Sequence, residues 1–152
     1  MKLQIASRLA IYALLDLAAH PDRQVSVAEI SEKYGISTHH LAKVMHTLGR
    51  SNLVRAVRGA GGGYQFSGNA KRTTLLDIVQ LFESFVHEEG EQSGLGGNTE
   101  TDRALRQVLD EIDDIARATL GSITIATMLK LIDTHRAHEA GEKRPEMAAP
   151  HA

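Results

Sequence analysis

Apolar positions along residues 5–19, "IASRLAIYALLDLAA", recur at helical spacing and place Leu9, Tyr12, Leu15 and Ala18 on one face of a first helix. His20-Pro21-Asp22 ends it. Ser26, followed three residues on by Glu29, is a capping-box pattern that opens a short second helix through Tyr34. In "YGIS", Gly35 stops that helix and Ser37 is placed to cap the next. The third helix is expected over about 38–50, with Leu41, Val44, Met45 and Leu48 as its buried stripe. Its remaining surface carries Thr38, His39, His40, Lys43, His46, Thr47 and Arg50.

The period then changes. In "LVRAVRGAGGGYQFSG", Val54 and Ala56 alternate with Arg55, the chain reaches Arg58, turns through glycines and returns with Tyr64 and Phe66. That pattern predicts a two-stranded hairpin directly behind the third helix. Helical spacing resumes in "RTTLLDIVQLFESF", a helix beginning at Thr74 with Asp77 completing a capping pattern and Leu75, Ile78, Val79 and Phe82 as its apolar face. Residues 87–100, "HEEGEQSGLGGNTE", are a polar, glycine-rich loop. A long helix follows over about 101–119, where Leu105, Val108, Ile112, Ile115 and Thr119 recur in threes and fours, widened by Leu109 and Ala116. A seam of that kind outside a small core is expected to be exposed in one chain and to pack against its twin, through Leu105, Val108, Leu109, Ile112 and Ile115, with packing inside the same chain as the alternative for part of it. A shorter helix is expected over 124–133, and the tail from Thr134, with Pro145 and Pro150, is expected to be disordered.

Two short helices joined by a tight glycine turn form a helix-turn-helix pattern. Its second member offers hydroxyl, imidazole and cationic groups and no carboxylate, the composition of a helix that lies in a major groove. An ordinary helical hairpin with a polar outer face reads the same way, and the hairpin behind it decides between them. The glycines of that hairpin do not make a nucleotide cradle. Gly59, Gly61, Gly62 and Gly63 miss the dinucleotide spacing, no long helix opens behind them, and the Lys-Ser/Thr pair of a phosphate loop is missing. As the tip of a wing they let backbone approach phosphates, with Arg58 beside them to enter a minor groove or pair with a phosphate.

Composition narrows the classes. The chain has 152 residues and a net charge of −2, unevenly spread. Residues 1–86 carry ten Lys/Arg against six Asp/Glu, and residues 87–152 seven against thirteen, so the first part is the one suited to a polyanion. With no cysteine, disulfides, thiolate catalysis and cysteine-ligated metal centres are excluded. No apolar run is long enough to span a bilayer, and Arg8 and Asp16 break the N-terminal one, which argues for a cytoplasmic protein and against a signal peptide. No nucleophile–base arrangement or carboxylate pair suggests an enzyme.

The order "MKLQIASRLAIYALLDLA", "VSVAEISEKYGISTHHLAKVMHTLGRSNLV", "RAVRGAGGGYQF" resembles the Rrf2 family of bacterial winged-helix transcription regulators, of the IscR and NsrR type, over about residues 1–133. The wing is the most specific element of the likeness. The resemblance implies a homodimer on a double-stranded operator of two-fold symmetry, with half-sites about 34–36 Å apart. Sensing members of that family hold an iron–sulfur cluster on cysteines of the loop between the fourth and fifth helices. Here that loop has none, so no cofactor is expected; His87, Glu88, Glu89 and Glu91 are the weaker candidates for a divalent metal, set against a solvated acidic loop. His135 and His138, three apart near the tail, weigh less.

The expected fold is therefore mainly α: a winged helix-turn-helix domain over 1–86 with a two-stranded β wing, a loop over 87–100, dimerisation helices over 101–133 and a tail over 134–152. The expected function is a homodimeric, sequence-specific repressor. Ser37, Thr38, His39 and His40 would lie closest to the bases, and Lys43 and Arg50 would serve guanine edges or the backbone. Arg55, Arg58, Gly59, Gly61, Gly62 and Arg8 would hold phosphates, and Tyr64 either does so or packs on the core. The histidines act as donors, or they make affinity fall as pH rises through about 6.5. The alternative is a module that docks a protein partner, an enzyme or sensor, through its acidic half.

Overall fold

The computed structural model describes residues 2–84, 97 and 99–142. Along the chain they form α1 (Ile5–Ala19), α2 (Val27–Tyr34), α3 (Thr38–Arg50), β1 (Val54–Val57), β2 (Gly63–Phe66), α4 (Leu75–Val79), α5 (Glu100–Ser122) and α6 (Ile125–Glu142). The mainly helical architecture with a two-stranded antiparallel sheet is the one the periodicities predict.

α1 is the hub. The expected stripe named one face, yet Leu9, Ala10, Ile11, Ala13, Leu14, Leu15, Leu17 and Ala18 are all buried, because α3, α4, α6 and β2 pack around it. A helix apolar on most of its circumference is stable only when enclosed in this way. Tyr12, read as part of the stripe, sits at its half-buried margin. No side chain of Gln4 caps α1; the Gln4 backbone N–H instead donates to Glu83 Oε1 at 2.7 Å, so a carboxylate from beyond α4 sits at the helix start.

α2 begins as expected, with Ser26 Oγ accepting from the Glu29 N–H at 3.1 Å. The reciprocal half of the expected capping box is missing: the Glu29 carboxylate pairs with Arg23. Thr74 and Asp77 do complete a box at α4, with bonds of 3.2 and 2.8 Å. α4 is shorter than its stripe suggests. Past Val79 the chain tightens into turns, where Leu81 and Phe82 bond back three residues, and Phe82 still packs on the core.

The junction of α5 and α6 is stitched to the segment before α4. The Leu75 N–H donates to the Ile123 carbonyl at 2.8 Å, Ile125 to Thr73 at 2.9 Å and Ala126 to Ala70 at 2.8 Å. Leu120 and Ile125 thereby enter the same buried cluster as Leu14, Leu41 and Ile78. α6 corrects one expectation: it runs past Asp133 to Glu142, so residues 134–142 are helical and not tail. Ala, Arg and Glu favour helix there, and no proline follows Pro21 until Pro145.

Candidate nucleic-acid interface

α3 is anchored by Leu41, Val44, Met45 and Leu48, all buried, which fixes which face points outward. Gly35, at φ 63°, turns the chain out of α2, and Ser37 Oγ accepts from the His40 N–H at 3.4 Å to start α3. Thr38, His39, His40, Lys43, His46 and Arg50 are exposed; Thr47 is half-buried and donates its hydroxyl to the Lys43 carbonyl at 3.3 Å. The outward face therefore carries hydroxyl, imidazole and cationic groups and no carboxylate, and the first turn of α3 adds helix N–H groups suited to an anion.

The wing follows at once. β1 and β2 pair with Val54 opposite Phe66, Arg55 opposite Gln65 and Ala56 opposite Tyr64. Val54 is buried and Tyr64 and Phe66 pack on the core, which leaves Arg55 on the other face. Gln65 holds Arg55 there: its Oε1 accepts from Arg55 Nε at 3.1 Å and Nη2 at 2.7 Å, while its Nε2 donates to the Pro21 carbonyl at 2.7 Å. Gln65 was not singled out from sequence; only the strand register makes the pair visible. Arg58 is exposed at the tip, where Gly59 (φ 113°) and Gly61 (φ 75°) take left-handed backbone. Of the two roles open to Tyr64, packing on the core is the one seen, and its backbone N–H and carbonyl are both bonded to Val25.

Arg8 is exposed on α1, and its Nη2 donates to the Tyr12 hydroxyl at 3.1 Å. It ends a ladder absent from the sequence reading. Tyr12 stacks on Tyr34 with ring centroids 4.9 Å apart, and Asp16 Oδ1 accepts from the Tyr34 hydroxyl at 2.9 Å and from Lys33 Nζ at 2.7 Å. The hydrogen bond to Asp16 raises the Lys33 pKa above its ordinary value, and burial first, then Asp16, raises that of Tyr34. The ladder ties α2 to α1, while α3 packs directly on both helices. A lone Asp16 within an apolar helix was the available signal.

On α5, Leu105, Val108, Leu109, Ile112 and Ile115 are 43–67 % exposed. His87, Glu88 and Glu91 lie outside the described residues, as does Glu89. His135 and His138 are exposed on α6. Among the described residues no three His, Asp or Glu side chains come together as a metal site, and no helix is long and apolar enough to cross a membrane.

Residues 3–131 match the Rrf2 family, described as an iron-dependent transcriptional regulator. BadM of Rhodopseudomonas palustris, named as an HTH-type transcriptional regulator, is 51% identical over 136 residues, covering 90% of this chain and 86% of its own. The structure of T. potens IscR is similar at TM-score 0.63 and 28% identity, over 99% of this chain and 94% of that one. That of Staphylococcus aureus CymR in its oxidized form reaches TM-score 0.70 at 26% identity, over 85% and 96%. The iron in the family's description finds no thiolate here, since the chain has no cysteine; its donor set does not fit a cysteine-ligated cluster. Wing, helix-turn-helix and relatives agree, and the chain belongs to the Rrf2 family of DNA-binding transcriptional regulators.

Proposed function

We propose that this regulator is a cytoplasmic homodimeric repressor that reads an operator of two-fold symmetry without an iron–sulfur cluster. The observation that carries the reading is the carboxylate-free outer face of α3 set directly beside the wing. In this reading the N-terminal side chains of α3, Thr38, His39 and His40, reach base edges. Lys43 and Arg50 serve guanine edges or phosphates, and Arg55, Arg58 and the tip glycines follow the flanking backbone. Arg8 is a further phosphate candidate. The exposed apolar stripe of α5 supports self-association: five large apolar side chains in water on one helix are what a twin helix would cover. With two copies, the two α3 helices would enter successive major grooves about 34–36 Å apart.

The test is fluorescence anisotropy on the DNA upstream of the protein's own gene against scrambled duplex, at fixed salt, as purified and after chelator. Specific binding indifferent to chelator is expected. Binding that changes with chelator would replace the cluster-free reading with a metal switch at the His87 loop. No preference over scrambled duplex would favour the protein-docking alternative. A reporter behind the same DNA tests repression: removing the gene should raise its output.

A further inference from the structure

A cleft of about 130 Å³ opens behind the helix-turn-helix, where three parts of the chain converge. The end of α1 contributes Asp16, Ala19 and His20, the α1–α2 connection and α2 contribute Arg23, Val25, Glu29, Ile30 and Lys33, and α6 brings Arg136. Val25 and Ile30 form its floor but are almost wholly covered by the protein, so the rim side chains provide most of its wall. Its rim is charged, with three cations against two carboxylates. Both carboxylates are already engaged, Asp16 by Lys33 and Tyr34, Glu29 by Arg23. The cations are not used up. A guanidinium has five N–H donors and an ammonium three, and each spends few of them here. Arg136 is the least committed: its Nη1 lies 3.7 Å from Asp133 Oδ1, beyond hydrogen-bond distance, and both side chains are exposed.

We infer that this cleft is a binding site for a small organic carboxylate. The carboxylate would take donors from Arg136, Lys33 and Arg23. The volume suits the size, since a cavity of about 150 Å³ takes a benzene molecule. The position matters. Val25 on the floor is the residue whose backbone bonds to Tyr64 of the wing, and Lys33 belongs to the ladder that sets α2 against α1. A ligand here touches the roots of both DNA-facing elements and the far end of α6. The extension of α6 past Asp133 is what delivers Arg136 to the rim.

The test uses no DNA, so its failure would leave the operator reading intact. Saturation-transfer NMR of 2-methylpropanoate on the full chain should give signal that its neutral amide does not. R136Q, at an exposed position, should keep the circular dichroism of the parent and weaken binding by roughly tenfold, the loss of one charge-assisted bond. Equal signal from the amide, unchanged affinity in R136Q, or no signal from the acid at millimolar concentration would each overturn the site.

Discussion

Val25 and Tyr64 lie on either side of the helix-turn-helix in sequence, yet they exchange both backbone bonds, Val25 N–H to Tyr64 O at 2.9 Å and the reverse at 2.8 Å. The exchange makes the connection before α2 a third partner of the wing. It is possible only because Gly63, next to Tyr64, has no Cβ: one built there would stand 2.5 Å from the Val25 carbonyl oxygen.

Substituting Gly63 should therefore cost more than substituting Gly61 at the tip. Gly63→Ala is expected to lose about 1–3 kcal/mol as the Val25 crossing is pushed apart. Gly61→Ala, with open space around it but φ 75°, should lose about 1 kcal/mol from backbone strain alone. Urea unfolding of the two variants compares them directly, and equal losses would remove the crossing as the explanation.

The Asp16 ladder predicts an alkaline effect. Lys33 and Tyr34 both have folded pKa values raised above their unfolded ones, so the stability they contribute is fully present below about pH 10 and fades as pH rises through the folded values. Asp16→Asn removes the largest cause at Lys33 and the second at Tyr34. Its stability should fall less steeply than wild type above about pH 10, while at pH 7 it should lose about 1–3 kcal/mol, since the mostly buried Asp16 carboxylate serves both Lys33 and Tyr34. Parallel chemical-denaturation curves across that range would rule out the coupling.

On DNA, Lys43→Ala and Arg58→Ala should each weaken specific and scrambled duplexes alike and lower the salt slope by about one unit. His40→Ala should instead narrow the gap between the two duplexes. Anisotropy at several salt concentrations separates these outcomes, and an unchanged slope in Lys43→Ala would take that side chain off the phosphates.

Ile112→Asp combined with Ile115→Asp should leave helix content intact, because both side chains are exposed in the single chain. Sedimentation velocity should then show a monomer and operator affinity should fall at least about tenfold, since each half-site contributes to a shared ΔG. A variant that still sediments as the parent would place self-association elsewhere. For contrast, Leu14→Ala, fully buried in α1, should lose about 2–5 kcal/mol of stability.

The helices and the hairpin were legible because each announces itself locally: a capping serine at 26 and 37, Gly35 between them, and a change of period at Val54. The outward residues of α3 followed from its buried stripe. What stayed hidden depends on pairs brought together only by folding. Gln65 beneath Arg55, Tyr12 on Tyr34, and the need for glycine at 63 all require knowing which strand or helix lies opposite. The length of α6 was missed for another reason: a charged, apolar-poor run reads as tail, although its residues individually favour helix.

The stitched junction of α5 and α6 has a mechanical side. α5 has 23 residues and spans about 34 Å, but only Leu120, at its junction end, is buried. Were α5 to tilt as a rigid body, residues 120–126 would be its fulcrum. A tilt of about 10° there sweeps the Glu100 end through roughly 6 Å, over an arm of about 34 Å. The same tilt barely displaces Thr73 or Ala70. Force applied where α5 begins gains the greatest advantage over the winged core, and force applied near the fulcrum gains almost none.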